Sequence, residues 1–149
     1  MTSPALPTAE TIHATSVAIN GQGVVIIGPS GSGKSDLALR LIDRGAVLIS
    51  DDYTRASNRD GLLLLDAPEN IAGKMEIRHL GIVETPHVGG VVARLAIRLD
   101  EAPPRMPDSS SIICLAGIDL PLIVLAGLEP SAPIKVEWAL RSLGRRAKG

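Results

Sequence analysis

The stretch Val24-Val25-Ile26-Ile27-Gly28-Pro29-Ser30-Gly31-Ser32-Gly33-Lys34-Ser35 decides how the rest of the chain is read. From Gly28 to Ser35 it fits the phosphate-binding loop template G-x-x-x-x-G-K-[ST] at every fixed position. The apolar residues Val24 to Ile27 before it read as a buried strand. Asp36 to Arg44 after it places Leu37, Ala38, Leu41 and Ile42 on one helical face. A strand, a glycine loop and a helix in that order aim backbone N–H groups and the positive end of a helix at one point, which suits the phosphates of a nucleotide. Lys34 would reach the β and γ phosphates. The Ser35 hydroxyl, one residue later, is a hard oxygen suited to Mg²⁺. Gly28, Pro29, Ser30, Gly31, Ser32, Gly33, Lys34 and Ser35 are thus the expected nucleotide-binding residues. The plainer alternative is a glycine-rich turn without a ligand, and the flanking strand and helix count against it.

The composition bounds what surrounds this loop. A chain of 149 residues with 45% hydrophobic residues is the size of one domain and can bury a core of its own. Tyr53 and Trp138 are the only aromatic residues besides histidine, so the core is expected to be aliphatic, with no stacking platform for single-stranded nucleic acid. A formal charge of −1 attracts neither a phosphate backbone nor an anionic membrane, although Arg141, Arg145, Arg146 and Lys148 make the C-terminus locally basic. Cys114 is alone and lies in an apolar run, which suggests an inert buried thiol in a reducing compartment. No signal peptide is evident at the N-terminus. The apolar run Ile112 to Leu128 is broken by Asp119 and Pro121, so two strands are expected there and no membrane span. A cytoplasmic protein follows.

Upstream of the loop, Met1 to Glu10 reads as a flexible lead-in, leaving residues 11–149 as a single domain. Thr15 to Ile19 alternates, and Asn20-Gly21-Gln22-Gly23 supplies the turn of a hairpin. His13 stands at its start, where a histidine is ordinarily a surface residue. Downstream, Gly45 closes the helix, and Ala46 to Ser50 reads as a second buried strand delivering Asp51 and Asp52. Ligand crevices of open α/β sheets lie beyond the carboxyl ends of the strands, so in a βαβ register this pair would face the same phosphates as Lys34. Tyr53–Ala56 and Gly61–Leu65 form a further expected hairpin, and Ala67 to Asn70 a short helix. Lys74 to Arg78, if extended, puts Glu76 and Arg78 on one face. Val91 to Leu99 alternates as a strand with one covered face. Ile112–Ala116 and Leu120–Leu125 read as core strands, and Ser131 caps a final helix from Ala132 to Leu143.

His13, the loop ending Gly33-Lys34-Ser35, the Asp51-Asp52 pair, Glu76-Ile77-Arg78 and Leu80-Gly81-Ile82 together resemble HPr kinase/phosphorylase from about Thr11 to Val83. That resemblance implies an α/β fold, a P-loop kinase-like core of the HPr kinase and phosphoenolpyruvate carboxykinase type, with a mixed sheet and flanking helices. It also implies an ATP- and Mg²⁺-dependent protein-serine kinase acting on the phosphocarrier HPr, with a regulatory role in the phosphotransferase system, and a hexameric assembly. By residue it implies Asp51 as the acid/base group with His13 as its neighbour, Lys34 on the phosphates, Ser35 and Glu76 at the metal, and Arg105 as a catalytic arginine. His79 departs from it, standing where the family usually has glycine. The family's basic glycine-containing loop has no clear counterpart, because Leu120 to Pro133 holds no Lys or Arg. The reverse reaction, attack of inorganic phosphate on the phosphoserine, is therefore expected to be reduced.

Two other functions use the same loop. A small-metabolite or nucleotide kinase would carry an arginine-rich lid, which cannot be placed between Leu99 and Ile112. A nucleotide-sensing module without turnover would leave Asp51 and Glu76 without a task.

Overall fold

The computed structural model of the chain describes residues 9–108 and 110–148. The strands, in order, are β1 (Ala9–Ile12), β2 (Thr15–Ile19), β3 (Gln22–Ile27), β4 (Val47–Ser50), β5 (Thr54–Arg59), β6 (Leu62–Asp66), β7 (Lys74–Ile77), β8 (Gly81–Glu84), β9 (Val91–Leu99), β10 (Ile112–Leu115) and β11 (Ile118–Leu125). Helix α1 (Lys34–Asp43) follows β3, and α2 (Ala132–Lys148) follows β11. A mixed sheet runs β1-β5-β6-β9-β3-β2-β4, with β11 beside β9 and β10 beside β11, while β7 and β8 form a separate two-stranded sheet.

Local sequence explains the hairpins. Asn20-Gly21 and Asp60-Gly61 both carry positive φ at the two turn residues (51° and 77°, 53° and 83°), the backbone that two-residue hairpin turns require. The turns are tighter than expected from sequence, since Gln22 already pairs with Ile19 and Arg59 with Leu62. Ala116-Gly117 does the same between β10 and β11, with a non-glycine residue at φ 48°. There the Glu10 carboxylate accepts the Ala116 N–H at 3.1 Å, and the Asn58 side chain donates to its carbonyl at 3.3 Å.

The element after α1 does not lie beside β3. Strand β4 pairs antiparallel with β2, which itself pairs antiparallel with β3, so β4 runs parallel to β3 with β2 between them. Helix α1 crosses over β2, and the expected register at the carboxyl ends of β3 and β4 survives with one strand interposed.

Two cores lie on opposite faces of the sheet. On one face Leu37, Ala38 and Leu41 of α1 and Val136 and Leu140 of α2 pack on Val24, Ile26, Leu95 and Ile97. Leu37 and Leu41 are wholly buried, and removing such a side chain costs about 2–5 kcal/mol. The other face is strand against strand, with Val25, Ile49, Leu63, Leu65, Ala96 and Leu122 closed together by the curl of the sheet. The helices thus flank one face, and β9, expected to have one covered face, contributes Leu95 and Ile97 to one core and Ala96 to the other.

Several expectations shift at the edges. Ala9 and Glu10, assigned to the lead-in, belong to β1 and pair with Ser57 and Ala56; Met1 to Thr8 lies outside the described residues. Strand β10 is an outer strand that gives Leu115 to the second core, with Ile113 packed against it, and leaves Ile112 and Cys114 exposed, so the core strand holds on one face and the buried thiol does not hold. The short helix at Ala67–Asn70 is a single 3-10 turn, Glu69–Ile71. Helix α2 runs on to Lys148, and the Lys135 N–H bonds the Ser131 carbonyl at 2.9 Å, which places Ser131 at the N-cap position.

Candidate active site

Ser30, Gly31 and Gly33 of the loop and the start of α1 form the floor of a cleft of about 780 Å³. The first helical bond is Leu37 N–H to Gly33 O at 2.8 Å, so the N–H groups of Lys34, Ser35 and Asp36 have no acceptor within the helix. Gly33, the N-cap residue, carries φ 99° and brings no capping side chain. Such an end presents bare donors and a partial positive charge, the usual seat of an anion. A Cβ at Gly28 would lie 2.7 Å from Ser32 Oγ, and that oxygen is buried without a hydrogen-bond partner among the described residues. Glycine is therefore required where the loop folds on itself, and the loop keeps unmet polar capacity; both fit a nucleotide phosphate. Lys34 is 7% exposed and its ammonium bridges the carbonyls of Gly28 at 2.8 Å and Pro29 at 3.1 Å.

The two aspartates after β4 have different surroundings. Asp51 is 6% exposed, and its carboxylate accepts from the Ser35 hydroxyl at 2.5 Å, the Thr15 hydroxyl at 3.2 Å and the Glu76 N–H at 3.1 Å. Asp52 is open, with 60% of its side chain exposed, and its Oδ1 accepts from His13 Nε2 at 3.0 Å. His13 thus neighbours Asp52 and not Asp51. The chain reverses abruptly here: Tyr53 N–H bonds Asp51 O at 2.7 Å around Asp52, whose φ is 69°. A γ-turn with a left-handed central residue is strained by about 1–3 kcal/mol and persists only where neighbours hold it. Those neighbours are side chains of β2 and β5. Asp52 N–H donates to Thr15 Oγ1 at 3.1 Å, Ser16 Oγ and Thr54 Oγ1 meet at 2.8 Å, and Thr54 Oγ1 donates to Ala14 O at 2.9 Å.

The far wall of the cleft is the β7–β8 hairpin, contributing Glu76, Ile77, Arg78, His79 and Gly81. Leu80 N–H bonds Ile77 O at 2.9 Å and His79 sits at φ 76°, so the turn is made in the left-handed backbone that glycine adopts freely. Above the loop lies Leu128, from the β11–α2 connection. That connection is held to α1 by Arg40, which donates to the carbonyls of Gly127 and Glu129 and pairs with Asp36.

The structure brings Lys34, Ser35, Asp51 and Glu76 together, with His13 attached through Asp52. Arg105 is not among the cleft residues; it lies exposed in the connection after β9. Arg78 lines the cleft instead, whereas the sequence placed it on one strand face with Glu76 and within the Glu76-Ile77-Arg78 mark without assigning it a role. Its position two residues after Glu76, in a segment already singled out, was the available signal. Among the described residues no group of three His, Cys, Asp or Glu side chains is placed to hold a metal by itself. A hydroxyl, one or two carboxylates and phosphate oxygens are the donor set Mg²⁺ ordinarily takes, and Ser35 and Glu76, both lining the cleft, are the residues that could contribute to it, with Asp51 bonded to the Ser35 hydroxyl. Among the described residues no helix is long and apolar enough to cross a membrane.

Comparison with known proteins follows the same outline. The family model described as HPr serine kinase C-terminal domain matches residues 5–98. The HPr kinase/phosphorylase of Clostridium tetani is 38% identical over 87 residues, covering 58% of this chain and 28% of that protein. The one from Clostridium beijerinckii is 40% identical over 91 residues, covering 59% and 30%. The chain therefore spans less than a third of these relatives' length. Among solved structures, the HPr(Ser) kinase/phosphatase from Coxiella burnetii superposes with a TM-score of 0.81 at 28% identity, covering 94% of this chain and 99% of the other. The mixed curled sheet with two helices is thus the fold of that enzyme.

Proposed function

Since the chain belongs to the family of HPr serine kinase C-terminal domains, we propose that it transfers the γ-phosphoryl group of ATP to a serine of the phosphocarrier HPr, as a regulatory enzyme of the phosphotransferase system. The observation that carries this reading is the convergence, on one cleft, of an uncapped helix end with Lys34 and an open carboxylate held by a histidine. Bound Mg²⁺ and ATP supply the electrophilic phosphorus and the cation that neutralises its oxygens.

The chain's own residues then divide the work. Lys34 exchanges the Gly28 and Pro29 carbonyls for phosphate oxygens, trading neutral acceptors for charged ones. Ser35 and Glu76 would hold the metal, and Asp51, hydrogen-bonded to the Ser35 hydroxyl, orients that oxygen. Asp52 accepts the proton of the incoming serine hydroxyl, because its carboxylate is the accessible one, and His13 orients it. This reassigns the acid/base role expected of Asp51, whose oxygens are already engaged by three donors.

A cytoplasmic homo-oligomer and a reverse reaction weaker than the forward one belong to the same proposal. The test is incubation of the chain with radiolabelled ATP, Mg²⁺ and HPr beside a panel of small metabolites. Label on an HPr serine is expected; label on a metabolite, or nucleotide binding without transfer, would replace this reading by one of the two alternatives.

A further inference from the structure

Tyr53 stacks on His13, with ring centroids 5.1 Å apart and planes at 28°. In a chain whose composition includes one tyrosine, one tryptophan and no phenylalanine, this ring is absent from both cores and stays 47% exposed. Its backbone is fixed on both sides. Its N–H closes the γ-turn on Asp51 O at 2.7 Å, its carbonyl accepts from the Ser50 hydroxyl, and the next residue, Thr54, is wholly buried and bonded to Ala14 O and Ser16 Oγ. The Tyr53 Cα is therefore held in place beside His13, and the ring keeps only its rotation about the side-chain bonds, which the stack on His13 opposes. His13 is held less firmly by comparison. It lies in the two-residue connection between β1 and β2, 41% of its side chain is exposed, and among the described residues its ring has one hydrogen bond, to Asp52 Oδ1 at 3.0 Å. A single hydrogen bond fixes one atom of the imidazole and leaves the ring free to turn about it. A stacked face removes that freedom.

We infer that Tyr53 is a positioning residue. It holds the His13 imidazole in the plane from which it orients the Asp52 carboxylate, without touching substrate. The inference rests on the proton-acceptor reading of Asp52 and His13, and its test is chosen to fail separately from that reading. Tyr53→Leu, Tyr53→Phe and His13→Ala, with the Tyr53→Leu/His13→Ala double variant, are assayed for ATP-dependent transfer to HPr. Aromatic pairs of this kind correspond to about 3- to 10-fold in rate. Tyr53→Leu should lose about that much kcat with the KM for ATP unchanged, and Tyr53→Phe, which keeps the stacked face, should stay near wild type. In the His13→Ala background Tyr53→Leu should cost nothing further, the non-additivity of two side chains acting as one unit.

Equal losses in both backgrounds would mean that Tyr53 supports only the turn, and a loss in Tyr53→Phe as large as in Tyr53→Leu would transfer the role to the hydroxyl; either overturns the inference. Independently of activity, the His13 ring protons, assigned with the His13→Ala variant, should resonate upfield in the wild-type chain and move downfield in Tyr53→Leu. No such movement also overturns it. An inactive wild-type chain that still shows the ring shift would sink the kinase reading while the stack itself stood.

Discussion

The two walls of the cleft are built from different material. On the loop side the functional groups are largely backbone: N–H groups freed at Lys34, Ser35 and Asp36, left-handed glycines at Gly31 and Gly33, and a lysine buried against carbonyls. On the far side a small hairpin outside the main sheet presents side chains, with Glu76, Arg78, His79, Leu80 and Ile82 all exposed. A backbone wall has one shape, set by turn geometry, and recognises what every nucleotide shares. A side-chain wall on two strands can change one residue at a time, so it suits recognition of the acceptor.

The contrast makes graded predictions. The largest effect belongs to the loop wall. Lys34→Ala should reduce transfer below detection, because no other buried cation stands at the start of α1 among the described residues; normal turnover of that variant would remove the phosphate-binding role of the loop. Next come the two aspartates between the walls. Asp52→Asn should keep ATP binding and lose about 10²–10⁴-fold in kcat, the usual contribution of a general base. Asp51→Asn should instead raise the Mg²⁺ concentration needed for half-maximal rate, and should lower stability by about 1–3 kcal/mol through the loss of a charged acceptor from one buried and two part-buried bonds. If the two variants exchanged these signatures, Asp51 would regain the acid/base role.

The far wall should give smaller and more selective changes. Arg78→Ala is expected to weaken HPr or phosphorylated HPr about tenfold, with the ATP affinity unaltered, because rim charges act on the partner and not on the loop. Dephosphorylation should suffer more than phosphorylation, since the reverse reaction brings a second anion into the cleft and Leu120 to Pro133 supplies no cation. Equal loss in both directions would leave Arg78 as a docking residue alone. The smallest effect is a gain. His79→Gly relieves a left-handed φ of 76° and should raise stability by about 1 kcal/mol in thermal unfolding, with nucleotide binding unchanged. A lower Tm would show that the imidazole makes contacts worth more than the strain.

Legibility in the sequence followed the same division. The loop wall could be read because its geometry is local. Gly28 through Ser35 needs its own glycines and the strand and helix on either side, and all are contiguous. The two hairpins were readable for the same reason, although the second turn was expected between Ala56 and Gly61 and falls at Asp60-Gly61, and β9 was found from Val91 to Leu99 by its alternation. Cys114 was misplaced because an apolar run looks the same at the edge of a sheet as at its centre, and only the pairing of β10 with β11 leaves it exposed. Arg105 was chosen by order along the chain, whereas Arg78 reaches the cleft through the β7–β8 turn. Asp51 and Asp52 are adjacent and chemically identical. Their separation into a buried carboxylate on Ser35 and an open one on His13 comes from Thr15, Ser16 and Thr54 on strands brought together by the sheet. The sequence by itself thus determined the glycine loop, its flanking elements and the set of charged residues available, because turns and periodicity depend on near neighbours. Only the tertiary structure decided which aspartate is buried and which one meets His13, because that depends on contacts between residues 36 to 39 positions apart in the chain, and which arginine lines the cleft and how the sheet curls, because those depend on how separate strands are brought together.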